Sequence, residues 1–359
     1  MRKSVCFMVP YPFGKAPSQR FRFEQYFSIL KENNFEFDVL SFYSEKTWNI
    51  LHQEGNVISK IVRIISAFFI RFIQLFSLHK YDHIFIHREV APIGPPIFEW
   101  IIAKVLKKKI IYDFDDAIWL PNYSEANTSF QKLKYYTKVN GIMKWASIIS
   151  AGNHYLLDYA AKFNSNVIVN PTTIDTENYH NPDIYSSISK TKLPVIGWTG
   201  THTTAKYLEF LIPVIEKLSF DFDFEFCVIS NEEPLSKFKN MNFVKWNKET
   251  EIEDLLRFDI GVMPLTDDKW SKGKCGFKAL QYMALGIPAL ASPVGINNEI
   301  IDDGINGFLC TTEIEWEEAL KHLLENPLEI KKMHTAARNK IINKYSVISN
   351  ETNFLNLFI

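Results

Sequence analysis

The stretch from Asp259 to Asn306 holds the densest set of groups able to bind an anion. Asp259-Ile-Gly-Val-Met-Pro264-Leu265 reads as a strand stopped by a proline turn. Lys272-Gly-Lys-Cys-Gly-Phe-Lys-Ala-Leu-Gln-Tyr-Met-Ala-Leu-Gly286 reads as a glycine loop opening a helix. Amides at such a helix start, with Lys274 and Lys278 beside Gly276 and Phe277, suit a phosphate or diphosphate. Lys278 and Gln281 are three apart and share a helix face, so a cation for phosphate oxygens would sit beside an amide able to bond ribose hydroxyls. Taken alone, the pair reads better as a solvated lysine and a surface glutamine. A second small-residue turn, Ala291-Ser-Pro-Val-Gly295, follows the next strand, and Asp302-Asp-Gly-Ile-Asn-Gly307 comes after it.

Val195-Ile-Gly-Trp-Thr199-Gly200-Thr201-His202 repeats the pattern: a strand, a Gly/Thr loop, and a helix beginning near Thr203 whose amides face an anion. Lys206 is there either as an anion ligand or as a solvated first-turn residue. Near the N-terminus, Pro10-Tyr-Pro-Phe-Gly14-Lys-Ala-Pro-Ser18-Gln19-Arg20-Phe-Arg22 is a long loop, flexible at Gly14, feeding a helix for which Ser18 is the N-cap candidate. Arg20 is placed to pair with phosphate or acceptor oxygens, against the plainer reading of an exposed first-turn arginine.

Lys109-Ile-Ile-Tyr-Asp113-Phe-Asp115-Asp116 crowds three carboxylates at a strand end. Like charges there raise one another's pKa and can serve as base or metal ligand. Asp116 is alternatively a helix cap. His87, ending the neighbouring strand before Arg88 and Glu89, is a second candidate for the same chemistry, although a lone strand-end histidine is more often structural.

These groups need a scaffold that gathers strand ends. Apolar, β-branched or aromatic runs at residues 4–9, 36–41, 83–87, 109–113, 147–151 and 166–169 alternate with helical spacing, which predicts βαβ units and a mainly parallel sheet. Residues 170–192 lose periodicity and turn rich in Pro, Asn, Ser and Thr, as a connection would. The rhythm then restarts, with strands expected at 194–198, 223–229, 242–245, 259–263, 289–291 and 307–309. The division expected is therefore a first domain over 1–170, a linker over 171–192, a second domain over 193–344, and a last helix over 345–359 that packs back on the first domain.

Composition narrows the class. Of 359 residues 47% are hydrophobic and 23% charged, so the chain folds into a core and is not disordered. Forty basic against 41 acidic side chains leave a net charge of −1, which argues against general nucleic-acid binding. The four cysteines, Cys6, Cys227, Cys275 and Cys310, have no ligand or disulfide spacing, which points to a reducing compartment. The apolar run after Met1 stops at Pro10, too short for a signal peptide, and the expected location is cytoplasmic. Residues 57–80 contain no acid, but Arg71 interrupts them short of the ~18 apolar residues of a membrane span. Their apolar face (Ile61, Val62, Ile65, Phe69, Phe72, Phe76) reads first as packing against a sheet. Peripheral contact of 58–78 with an anionic membrane is the second reading.

Residues 259–309 resemble the donor-binding half of GT-B glycosyltransferases, especially the retaining enzymes of glycosyltransferase family 4 (glycosyl transferases group 1). Those carry a strand ending in Pro, a loop and helix like Gly276-Phe-Lys278, and a Gly-x-x-Glu-(Ile/Val)-Ile-x-(Asp/Asn)-Gly-x-Asn-Gly run like Gly295–Gly307. The resemblance implies an α/β fold of the GT-B kind, two Rossmann-like domains with mainly parallel sheets facing across a cleft. Its Gly14–Arg20 loop would face that cleft, and its Thr199–Thr201 loop and Lys206 would face the donor diphosphate. Asp115 falls where relatives carry the residue proposed to orient or deprotonate the acceptor hydroxyl. One departure stands out: many relatives place two glutamates with seven residues between them, and here Gly273 and Gln281 occupy those positions. Lys278 matches a subset of relatives that use a lysine three residues earlier.

The expected activity is transfer of a sugar from a nucleotide-diphosphate donor to a glycan or lipid-linked acceptor, retaining and without metal, in surface polysaccharide or glycolipid synthesis. The nucleotide sugar is a substrate, and no cofactor is expected. Asp113-Phe-Asp115 also spells the Asp-x-Asp of metal-dependent GT-A enzymes, but that fold would leave the later phosphate loops without a role. Two other classes compete: a GT-B-fold nucleotide-sugar epimerase, and a non-catalytic partner subunit that keeps the fold.

Overall fold

The computed structural model describes residues 3–51, 55–121, 134–185, 192–234 and 241–359. Residues 186–191 of the expected linker lie outside that set. The backbone divides into two compact units, Met1–Thr172 with Glu351–Ile359, and Thr173–Asn350.

The first unit holds a sheet of order β2-β1-β3-β4-β5-β6, parallel throughout. Its strands are β1 (Lys3–Val9), β2 (Phe35–Ser41), β3 (His83–His87), β4 (Lys109–Phe114), β5 (Ile148–Ala151) and β6 (Val167–Val169). Parallel strands are covered on both faces and so read as continuous apolar runs, and Val5–Val9, Ile84–Ile86 and Ile110–Tyr112 are indeed buried at every position. The end of the chain joins this unit through aromatic packing. Phe354 stacks on Tyr26 with centroids 4.1 Å apart, and Phe358 lies 6.3 Å from Phe85. Burying each phenylalanine contributes about 1.5–3 kcal/mol.

The second unit repeats the architecture with β7 (Val195–Gly200), β8 (Glu225–Ser230), β9 (Met241–Lys245), β10 (Ile260–Met263), β11 (Ala289–Ala291) and β12 (Gly307–Leu309). Their order is β12-β11-β10-β7-β8-β9, again parallel. Strand order reverses between β7 and β10, the place in a doubly wound sheet where loops at the carboxyl ends diverge and leave a crevice. Trp198 and Trp316 anchor the core beneath, with Leu208, Leu320 and Leu323. The helix Glu313–Glu325 that supplies Trp316 begins at a Thr312/Glu315 capping box.

The Val57–Leu75 helix departs from the packing expectation. Ala67, Arg71 and Leu75 face inward, but Ile65, Phe69 and Phe76 stand more than 60% exposed.

Candidate functional site

In the second unit, loops following four adjacent strands surround a cavity of about 570 Å³, within the range of small-molecule sites. Lys206, Tyr207 and Phe210 come from beyond β7, Pro264 to Asp267 from beyond β10, Ser292 to Val294 from beyond β11, and Thr311 from beyond β12. The wall is mainly apolar, with Lys206 as its cation and Glu209 and Asp267 as its acids. Rings and prolines can cover the face of a base or sugar, and the lysine can meet an anion.

Of the residues singled out in the sequence, Lys206 lines this cavity and Gly295 adjoins it through Val294. The other candidates of this unit do not line it: Thr199, Gly200 and Thr201 lie at the end of β7, and Lys274, Gly276, Phe277, Lys278 and Gln281 lie in the loop and helix between β10 and β11. Gly276 is the N-cap of the Phe277–Ala284 helix with φ 66°, a left-handed conformation that favours glycine. Gly295, at φ 56°, lies so near the preceding loop that a Cβ would come within 2.8 Å of the Lys272 carbonyl oxygen. Only glycine lets those two loops touch. The ammonium of Lys278 lies 5.5 Å from the centre of the Trp198 ring, and that of Lys274 5.8 Å from Trp270. Lys278 thus stands at the positive end of a helix dipole, braced by an aromatic face.

Two expectations for this unit need correction. Gln281 is not a surface residue: it is 2% exposed, with Nε2 3.3 Å from Nε2 of the buried His180. The amides of Thr199, Thr201 and His202 in the β7 loop are not open to an anion, because they already donate within the protein. Thr199 donates to the Tyr282 hydroxyl, Thr201 to Thr204 Oγ1 and His202 to Asn231 Oδ1. Gly200 ends β7 between them. Tyr282 went unnoticed in the sequence. Its ring occupies the space left by Gly261, where a Cβ would meet it at 2.3 Å. A glycine in one strand paired with a tyrosine on the following helix was the available signal.

In the first unit, the strand ends β3, β4 and β5 gather a buried ionic cluster. Asp113 is wholly buried; it accepts hydrogen bonds from Ser150 Oγ at 2.6 Å and His87 Nδ1 at 2.7 Å, and from the Arg22 guanidinium. Arg22 also donates to the Asn170 carbonyl. The crowding expected to raise the carboxyl pKa is overturned for Asp113. Burial pushes it up, but Arg22 and His87 outweigh burial and hold it far below the usual carboxylate range. His87 is fully buried, and its Nε2, 3.9 Å from Asp115, has no hydrogen-bond partner among the described residues. The partner missed in the sequence is Arg22, two places beyond Arg20; an acid inside an apolar strand calls for a buried cation.

Asp115 and Asp116 share one arginine. Arg88 Nε donates to Asp115 at 2.8 Å, and its NH2 group to Asp116 at 2.6 Å. Burial would lower the Arg88 pKa, but the two carboxylates raise it well above its ordinary value. Asp116 is therefore an ion-pair partner and not simply a helix cap. Both carboxylates of the Asp-x-Asp pattern are already matched by arginines, which is not how a pair awaiting a divalent cation is held. Among the described residues no group of three or more His, Cys, Asp or Glu side chains is placed to bind a metal.

The Gly14 loop is pinned. Gly14 donates its amide to Glu24, and Gln19 bonds both the amide and carbonyl of Tyr11. The helix is only Pro17–Arg20, with Ala16 and not Ser18 in the capping position. Arg20 lies over the Phe21 ring, 4.9 Å from its centre.

Comparison with known proteins bears on both units. Residues 193–326 match the family model described as Glycosyl transferases group 1. No curated protein matches the chain. Solved structures align over almost the whole length. A glycosyltransferase from Rickettsia africae shares 14% identity over 99% of this chain and 98% of its own, with TM-score 0.68. Sucrose-phosphate synthase from Thermosynechococcus elongatus shares 12% over the same proportions, with TM-score 0.70. Anabaena HepE in complex with UDP and glucose shares 12% over 99% and 98%, with TM-score 0.65. The chain has the GT-B fold seen in glycosyltransferases, and its residues 193–326 are similar to the Glycosyl transferases group 1 family.

Proposed function

We propose that this glycosyltransferase takes a sugar from a nucleoside-diphosphate donor held in the second unit. The acceptor is a hydroxyl of a glycan or lipid-linked molecule, as in surface polysaccharide or glycolipid assembly. Transfer retains anomeric configuration and needs no resident metal. The observation that carries the reading is the cavity at the carboxyl ends of β7, β10, β11 and β12, with Lys206 in its wall. In sugar transfer, negative charge develops on the departing diphosphate, and fixed positive groups lower the barrier there. Lys206, Lys278 and the positive end of the Phe277–Ala284 helix are assigned that role. Asp115 is assigned to the acceptor hydroxyl, with His87 behind it, and Arg20 to acceptor or phosphate oxygens. Since HepE was solved with UDP and glucose, UDP-sugars are the first donors to try.

A panel of UDP-, GDP-, ADP- and TDP-sugars in a thermal-shift assay tests the reading, because a ligand of the native state raises its melting point. One base is expected to stabilise the protein. Lys206→Ala with Lys278→Ala should weaken that donor about 10- to 100-fold, the loss of charge-assisted hydrogen bonds. Anomeric NMR of the product should show the donor's configuration, with or without chelator. Conversion of the sugar nucleotide without an acceptor would identify an epimerase instead, and binding without turnover a non-catalytic subunit.

A further inference from the structure

We infer that the outer face of the Val57–Leu75 helix is a docking surface for an anionic lipid bilayer, with the helix lying in the plane of the headgroups. The inference is independent of the sugar-transfer reading.

The helix is held to the protein by one stripe only. Ala67 and Leu75 are buried, Phe68 stacks on Phe98 at 6.1 Å, and Arg71 reaches inward to the carbonyls of Leu40 and Val9. The opposite stripe is apolar too, and it is left in solvent. Ile58 is 80% exposed, Val62 56%, Ile65 63%, Phe69 65% and Phe76 71%. At about 1.5 Å per residue, the stripe runs for roughly 27 Å. The polar strip of this helix, Lys60, Arg63, Arg71 and Gln74, lies on its covered side, so its broad apolar face is the one in solvent, and a patch this continuous marks an interaction surface. The adjoining helix, Ile97–Trp100, adds Ile97 and Trp100, each about half exposed.

Charge selects the occupant. No residue from 56 to 81 is acidic, and the only acid between 97 and 109, Glu99, is 1% exposed. Lys104, Lys107 and Lys109 are exposed on the segment that follows the Ile97–Trp100 helix, while Lys80, at the end of the stripe, is ion-paired with the half-exposed Asp38 at 3.5 Å. An apolar stripe flanked by lysines and a tryptophan matches the headgroup boundary of an anionic membrane. A second copy of the chain would bring like charges together across a two-fold contact. No helix among the described residues is long and apolar enough to cross a membrane, so the surface lies on the bilayer and does not span it.

The test is flotation of the full chain with phosphatidylcholine vesicles and with vesicles also containing phosphatidylglycerol. The bound fraction should be about tenfold higher on the anionic vesicles and fall with added salt. Ile65→Ser with Phe69→Ser, at exposed positions, should lower it about tenfold while leaving the melting temperature unchanged; Lys104→Glu with Lys107→Glu should do the same by charge. Equal recovery with both vesicle types, or undiminished binding by the Ile65/Phe69 variant, overturns the inference. So does a dimer in analytical ultracentrifugation that this variant dissolves, because the patch would then belong to a second copy.

Discussion

The Tyr282 hydroxyl accepts the Thr199 amide at 2.9 Å, linking the helix that carries Lys278 to the end of β7. The same hydroxyl lies 3.5 Å from the Val262 carbonyl on β10. One side chain therefore spans the point where strand order reverses, and burial raises its pKa, so it stays protonated.

Tyr282→Phe should leave the Thr199 amide without its acceptor while keeping the ring against Gly261. An unmet buried donor costs about 1–3 kcal/mol, read as a lower denaturant midpoint with unchanged slope. If the hydroxyl also sets the position of the β7 loop, affinity for the preferred sugar nucleotide drops as well. A variant as stable as the wild type would show that water or a shifted loop replaces the bond.

Much of the architecture was legible because it depends on strong local signals. All twelve strands lie within two residues of their expected positions, since buried parallel strands are short apolar runs bounded by polar turns. What was not legible depends on partners far apart in sequence. Nothing near Asp113 marks Arg22, 91 residues earlier, as its counter-ion. Nothing near Gln281 marks His180, 101 residues away, as the group that buries it. The outward apolar face of residues 57–75 was hidden for a different reason. Periodicity identifies a helix and its stripes but not which stripe the rest of the fold covers.

Asp113 gives the chain an acid-dependent element. Its carboxyl pKa is lower folded than unfolded, so the stability it contributes is fully present above about pH 4, the unfolded value. It is lost progressively as pH falls below that toward the depressed folded value. Asp113→Asn removes the charge and leaves Arg22 buried without its counter-ion, which costs about 3–5 kcal/mol at neutral pH. The gap between wild type and variant should narrow as pH is lowered from 5 toward 2, followed by urea unfolding at each pH. A gap that stays constant or widens would mean that Asp113 is not ionised in the native state.

Arg88 controls how Asp115 is presented. It sits in the left-handed region at φ 59°, a conformation costing about 1–2 kcal/mol in a residue with a Cβ. Bonds around it offset that strain. Its amide donates to the Asp113 carbonyl, its carbonyl accepts the Tyr112 hydroxyl, and its guanidinium grips Asp115 and Asp116. Arg88→Lys keeps one positive charge but loses the planar fork that fixes both carboxylates at once. If Asp115 orients the acceptor hydroxyl, misplacing it lowers kcat/KM for the acceptor about 10- to 100-fold. The donor Kd, which the proposed function assigns to groups of the second unit, should stay within twofold of the wild type, about 0.4 kcal/mol. Comparing acceptor kinetics with donor binding by calorimetry separates this positioning role from a general loss of structure, which would weaken both. Equal effects on the two measurements would remove Asp115 from the acceptor's side of the reaction.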